Sequence, residues 1–90
     1  MQADLAIALE NVRTAYESAR LEERNRVLAE QQLNLARERY RLGAITFVEL
    51  VDQQTLFAQA ESSLLVAVFA YHDLVTNLEA LVGASLRNQS

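Results

Sequence analysis

The sequence predicts an all-α protein, a long antiparallel helical hairpin of coiled-coil character, and three observations carry that prediction. Proline is absent and glycine occurs twice in 90 residues, while Ala, Leu, Glu, Gln and Arg dominate, so helix propensity stays high over long windows. Apolar residues recur with a seven-residue period in both halves of the chain, the 3.5-residue spacing of a left-handed coiled coil. Only one stretch, Tyr40 to Asp52 (YRLGAITFVELVD), asks the backbone to stop one helix and start another. A chain of 90 residues allows one small domain, whose core is marginal unless idealised, stapled or shared with another chain.

The first helix is expected over about 3–42. Leu5, Val12, Ala19, Arg26, Leu33 and Tyr40 fall on one heptad line, with Ala8, Ala15, Glu22, Ala29, Ala36 and Gly43 on the line beside it. The second line is largely alanine, which lets a neighbouring helix approach closely. LEERNR, Leu21 to Arg26, interrupts the seam by placing Glu22 and Arg26 on core-type positions. This zone reads as solvated or loosely packed, a bend or the contact site of another segment.

At the reversal, Gly43 suits the left-handed C′ position that ends a helix at little steric cost. Thr46 and Glu49 form an S/T-x-x-E capping box, and Ile45 and Leu50 occupy the N′ and N4 positions of a hydrophobic staple. Arg37, Arg39 and Arg41 complement the carbonyl end of the preceding helix dipole. These signals predict a sharp tip.

The second helix is expected over about 47–82. One seam runs Phe47, Leu50, Gln54, Phe57, Glu61, Leu64, Val68, Tyr71, Val75, Leu78 and Val82; a second runs Ala60, Leu64, Ala67, Tyr71, Leu74, Leu78 and Leu81. Two seams imply two neighbours, so the chain is expected to associate as a dimer or higher oligomer. The aromatics Tyr16, Tyr40, Phe57, Phe69 and Tyr71 read as core residues, because large rings dominate buried area. Gly83 reads as a C′ residue and 84–90 as a frayed tail. Each helix is about 55 to 60 Å long at 1.5 Å per residue, and the short tip makes them antiparallel.

Composition excludes several functions. There is no cysteine, hence no disulfide, thiolate metal site or cysteine nucleophile. His72 is the sole histidine and has no Glu three residues before it, so the E-x-x-H half-site of a di-metal bundle is missing. With no Gly-rich phosphate loop and no G-x-S-x-G elbow, neither an enzyme nor a cofactor or metal site is expected. Residues 1–42 carry seven acids and seven arginines, and 43–90 carry five acids and only Arg87, for a net charge of −4. No basic stripe for nucleic acid exists. No arginine-rich segment followed by an apolar run opens the chain, so no secretory signal is read in it. The longest apolar run, Leu64 to Tyr71, falls far short of the roughly 20 residues of a membrane span, so no direct membrane insertion is expected. Glu49 and Asp52, three apart in the first turns of the second helix, have two readings. They stabilise the positive end of the helix dipole, or symmetry copies of them ring a pore as a cation-selective gate.

The run RERYRLGAITFVELVDQQTLFAQAESSL, Arg37 to Leu64, resembles the periplasmic helical hairpin of the outer-membrane efflux protein family, the TolC-like channels of Gram-negative bacteria. Ala36, Tyr40, Gly43, Thr46, Glu49, Leu50 and Asp52 match the family pattern A-x-x-x-Y-x-x-G-x-x-[ST]-x-x-[DE]-[VL]-L-[DE], with Val51 in place of its last leucine; Gln53, Leu56 and Ala60 continue the downstream repeat. Upstream ENVRTAYESARLEERNRVLAEQQLNLA and closing LEALVG extend the likeness to about residues 4–83. It implies one hairpin, spanning 1–90, of a channel whose protomers carry two such hairpins and β-strands and assemble as trimers. The chain then reads as an excised piece of the periplasmic tunnel of a Gram-negative outer-membrane protein for efflux or type I secretion. Leu42, Gly43, Ala44, Ile45 and Thr46 match the tip that docks a periplasmic adaptor (membrane-fusion) protein, and through it an inner-membrane pump indirectly. Glu49 and Asp52 match acidic positions near the tunnel entrance. The alternative from the seams alone is a free-standing coiled-coil scaffold forming a homo-oligomeric helical bundle.

Overall fold

A computed structural model describes residues 2–89 as two helices, α1 (Gln2–Arg41) and α2 (Phe47–Gln89), joined by a five-residue reversal. They pack side by side along their length as an antiparallel hairpin measuring 70 × 13 × 13 Å. Among the described residues there is no strand.

The α1 seam follows the heptad lines. Leu5, Ala8, Val12, Ala15, Ala19, Glu22, Arg26, Ala29, Leu33 and Ala36 are its shielded positions. Tyr40 and Gly43, where those lines run on into the tip, are exposed. On α2 the facing positions are Leu50, Gln53, Phe57, Ala60, Leu64, Ala67, Tyr71, Leu74 and Leu78. The first expected α2 seam is therefore corrected: Phe47, Gln54, Glu61 and Val82 point outward, and Val68 and Val75 lie at the margin. The choice has a steric and a polar reason. Ala60 and Ala67 let the α2 backbone approach the alanine line of α1, whereas the other register would turn Gln54 and Glu61 inward and strip them of water.

Among the described residues, buried side chains are confined to the tip end. Leu33, Ala36 and Leu50 form the one buried cluster among the described residues, with Ile45 and Phe57 packed against it. The aromatic expectation needs correcting as well: Tyr16, Tyr40 and Phe69 are exposed, and only Phe57 and Tyr71 are half-buried. The tilted ring pairs Tyr16–Tyr71 (5.8 Å) and Tyr40–Phe47 (6.1 Å) lie on the outside of the hairpin or at its edge.

Gly83 does not end α2. The helix continues through it to Gln89, and Gly43 is the only glycine with positive φ among the described residues. The expected tail 84–90 is thus helical as far as Gln89, and Ser90 lies outside the described residues. A helix-interior glycine costs only about 1 kcal/mol relative to alanine, and Ala80, Leu81, Ala84 and Leu86 around it are good helix formers. The eight-residue apolar run also understates α2: Phe47–Ala84 contains 18-residue windows of mean hydropathy 1.4, long and apolar enough to cross a membrane by length and composition, with none of that window buried.

Candidate functional site: the hairpin tip

The reversal completes its own backbone hydrogen bonding. Gly43, at φ 76°, donates its N–H to the Tyr40 carbonyl (3.0 Å), and Ala44 donates to the Arg39 carbonyl (2.8 Å). This is the Schellman pair, with Gly43 at C′ and Ala44 at C″. Leu42 still donates to Glu38 at 3.1 Å, so it is the half-helical cap residue. The α2 start is closed reciprocally. Glu49 N–H donates to Thr46 Oγ1 at 3.1 Å, and Thr46 N–H points back to Glu49 Oε2 at 3.4 Å. The first intrahelical bond, Leu50 N–H to the Thr46 carbonyl, is 3.1 Å.

Side chains sort accordingly. Ile45 turns inward onto Leu33, Ala36 and Leu50, which realises the staple. Leu42, Gly43, Ala44 and Thr46 face solvent. Leu42 is 72% exposed, and beyond the cap Phe47 and Val48 are 62% and 68% exposed. The tip therefore presents three large apolar side chains on a reversal held by backbone bonds. Sequence reasoning missed Phe47 and Val48 as surface residues. The signal was available: once Glu49 is committed to the capping box and Leu50 to the staple, the two positions before them must point elsewhere.

Glu49 and Asp52 are both exposed. Glu49 is spent on the capping box, whereas Asp52 makes no hydrogen bond or ion pair within the described residues. Of the basic residues in the last turns of α1, Arg41 pairs with Glu38, and Arg37 donates to Asn34 Oδ1 at 3.4 Å. Beside the tip a groove of about 250 Å³ is lined by Gln32, Leu35, Arg39, Ile45, Glu49 and Gln53, among others. His72 is exposed against the Tyr71 ring at 5.8 Å, and no group of His, Cys, Asp or Glu among the described residues is placed to hold a metal ion.

At the polar interruption of the seam, Arg26 finds its partners within α1. Arg26 donates to Glu23 (2.8 Å) and Glu30 (3.0 Å), and the helix passes through without a break. The hydrogen bond and charge of Arg26 hold the Glu23 carboxyl below the usual carboxylate range, and Glu23 raises the Arg26 guanidinium in turn. No family model, curated protein or solved structure matches this chain.

Proposed function

We infer that the hairpin works by presenting its tip end-on to another helical hairpin, as the tunnel segment of a TolC-like outer-membrane channel for efflux or type I secretion that meets a periplasmic adaptor. The observation that carries this reading is the tip itself. Leu42, Phe47 and Val48 are exposed on a reversal whose backbone groups are already paired, so a partner gains apolar contact with little ordering cost. A second helical hairpin meeting it tip to tip is the partner that such a small apolar end fits.

Binding of an adaptor hairpin encoded with this chain to wild type, Leu42→Glu and Gly43→Leu tests the reading. Leu42→Glu leaves the reversal intact and should weaken binding at least about tenfold, since a buried leucine contributes roughly 1.5 to 3 kcal/mol. Gly43→Leu forces a bulky residue to positive φ and should weaken it by distorting the tip. Equal binding by all three would remove the docking role. The scaffold reading is favoured by a different observation, the apolar side chains exposed along the helices away from the tip. The flanking gene sequence separates the two: β-strands and a second hairpin belong to a channel.

A further inference from the structure

The hairpin leaves more surface in water than a settled monomer of its mass. Its accessible area is 6884 Å², against about 5,300 Å² expected for a compact protein of 10.1 kDa on the scaling of folded monomers. The excess, about 1,600 Å², is twice the ~800 Å² that each partner contributes to a standard interface. It follows from the rod shape and from the burial of so few side chains.

That surface is patterned. Ile7, Leu21, Leu28 and Leu35 stand on one line of α1 at multiples of seven residues, continued by Leu42 at its cap; each is half or more exposed, and the exposed Thr14 separates Ile7 from the rest. Next to this ridge the hairpin is indented. A groove of about 370 Å³ is lined by Ser18, Ser62, Ser63, Val66, Ala67 and Ala70, with Glu22 at its floor. The groove beside the tip opens on the same side, because Ser18, Gln32 and Arg39 on α1, and Glu49, Ser63 and Ala70 on α2, keep the seven-residue spacing from one groove to the other. Leu56, exposed on that same α2 line, sits between them.

We propose that this side of the hairpin pairs with the same side of a second copy, forming a four-helix bundle in which each copy's Leu21, Leu28 and Leu35 seat in the other's groove. A ridge running about 30 Å from Leu21 to Leu42 at 1.5 Å per residue is best covered by a long helix of the same period. The chain carries such a helix itself. One face supplies both halves of the joint, large side chains beside small ones, which is what a two-fold, self-complementary interface requires. The pairing stands apart from the tip reading, since these three leucines lie outside the reversal.

Sedimentation equilibrium of the full chain over a range of micromolar concentrations tests it, with helicity followed by circular dichroism. Wild type should sediment at twice its chain mass. The double variant Leu28→Glu/Leu35→Glu should dissociate at least about a hundredfold more readily. Ser63→Glu removes no apolar side chain and sits at an exposed position, so it should also weaken the dimer while the helices remain. Leu65→Glu, an equally exposed leucine facing away from the groove, should leave the dimer within about threefold. A monomeric wild type overturns the proposal. So does a dimer indifferent to both groove-side variants, or one lost on Leu65→Glu instead. Flotation with phosphatidylglycerol vesicles completes the set: a chain that binds vesicles but stays monomeric in water assigns the apolar surface to lipid and also overturns it.

Discussion

Gly43 is the residue at which geometry alone sets the cost of change. A Cβ there meets nothing within 4 Å, yet φ is +76°, so Gly43→Ala should cost about 1 to 2 kcal/mol through backbone strain with no steric clash to relieve. Urea unfolding at fixed protein concentration measures it. Thr46→Ala removes the oxygen that accepts from Glu49 N–H and should cost about 1 kcal/mol in the same assay. Arg26 offers a pH test. Its hydrogen bond lowers the folded-state value of Glu23, so the pair's stabilisation is fully present above the unfolded-state carboxylate range and disappears as pH falls through the lowered folded value. Arg26→Leu should reduce that part of the acid dependence, seen as a smaller fall in Tm between neutral and acid pH.

At the scale of the helix, Gly83 distinguishes two readings that look alike in sequence. Inside α2 with no neighbour near its Cβ, Gly83→Ala should stabilise the protein by about 1 kcal/mol; at a left-handed cap the same substitution would destabilise it. Thermal unfolding of this variant beside Gly43→Ala gives shifts of opposite sign. The two glycines mark the boundary of what is legible in a sequence. The tip was legible because a C′ glycine, a capping box and a staple are bonds at fixed short offsets, and Thr46, Glu49, Ile45 and Leu50 all do locally what their spacing implies. The α1 seam was legible because its alanines leave one narrow stripe. In α2 nearly every face is apolar, so the line facing α1 was decided by which register hides Ala60 and Ala67 and leaves Gln54 and Glu61 wet, a comparison that needs the partner helix. Gly83 was misread because a glycine that ends a helix and one that a helix runs through differ in backbone conformation and surroundings, neither of which is written in the residue itself. Phe47 was missed at the tip for a similar reason: heptad spacing puts it on a seam before the cap has claimed its neighbours, and Val48 falls on neither seam.

For the whole molecule, buried side chains gather at one end. Leu33, Ala36 and Leu50, with Ile45 and Phe57 against them, hold the helices together beside the reversal, while among the described residues the far half of the hairpin has side chains that are at most half-buried. Local opening free energies track such differences in packing. Amide exchange should therefore be slowest in the α1 and α2 turns around 29–36 and 50–57 and fastest towards 5–15 and 71–82, with the gradient flattened when the chain is concentrated enough to associate. Mechanically the hairpin is a pair of tweezers: the joint is its best-packed part, the arms are held together by half-buried side chains alone, and whatever grips the arms also decides how firmly the joint is aimed.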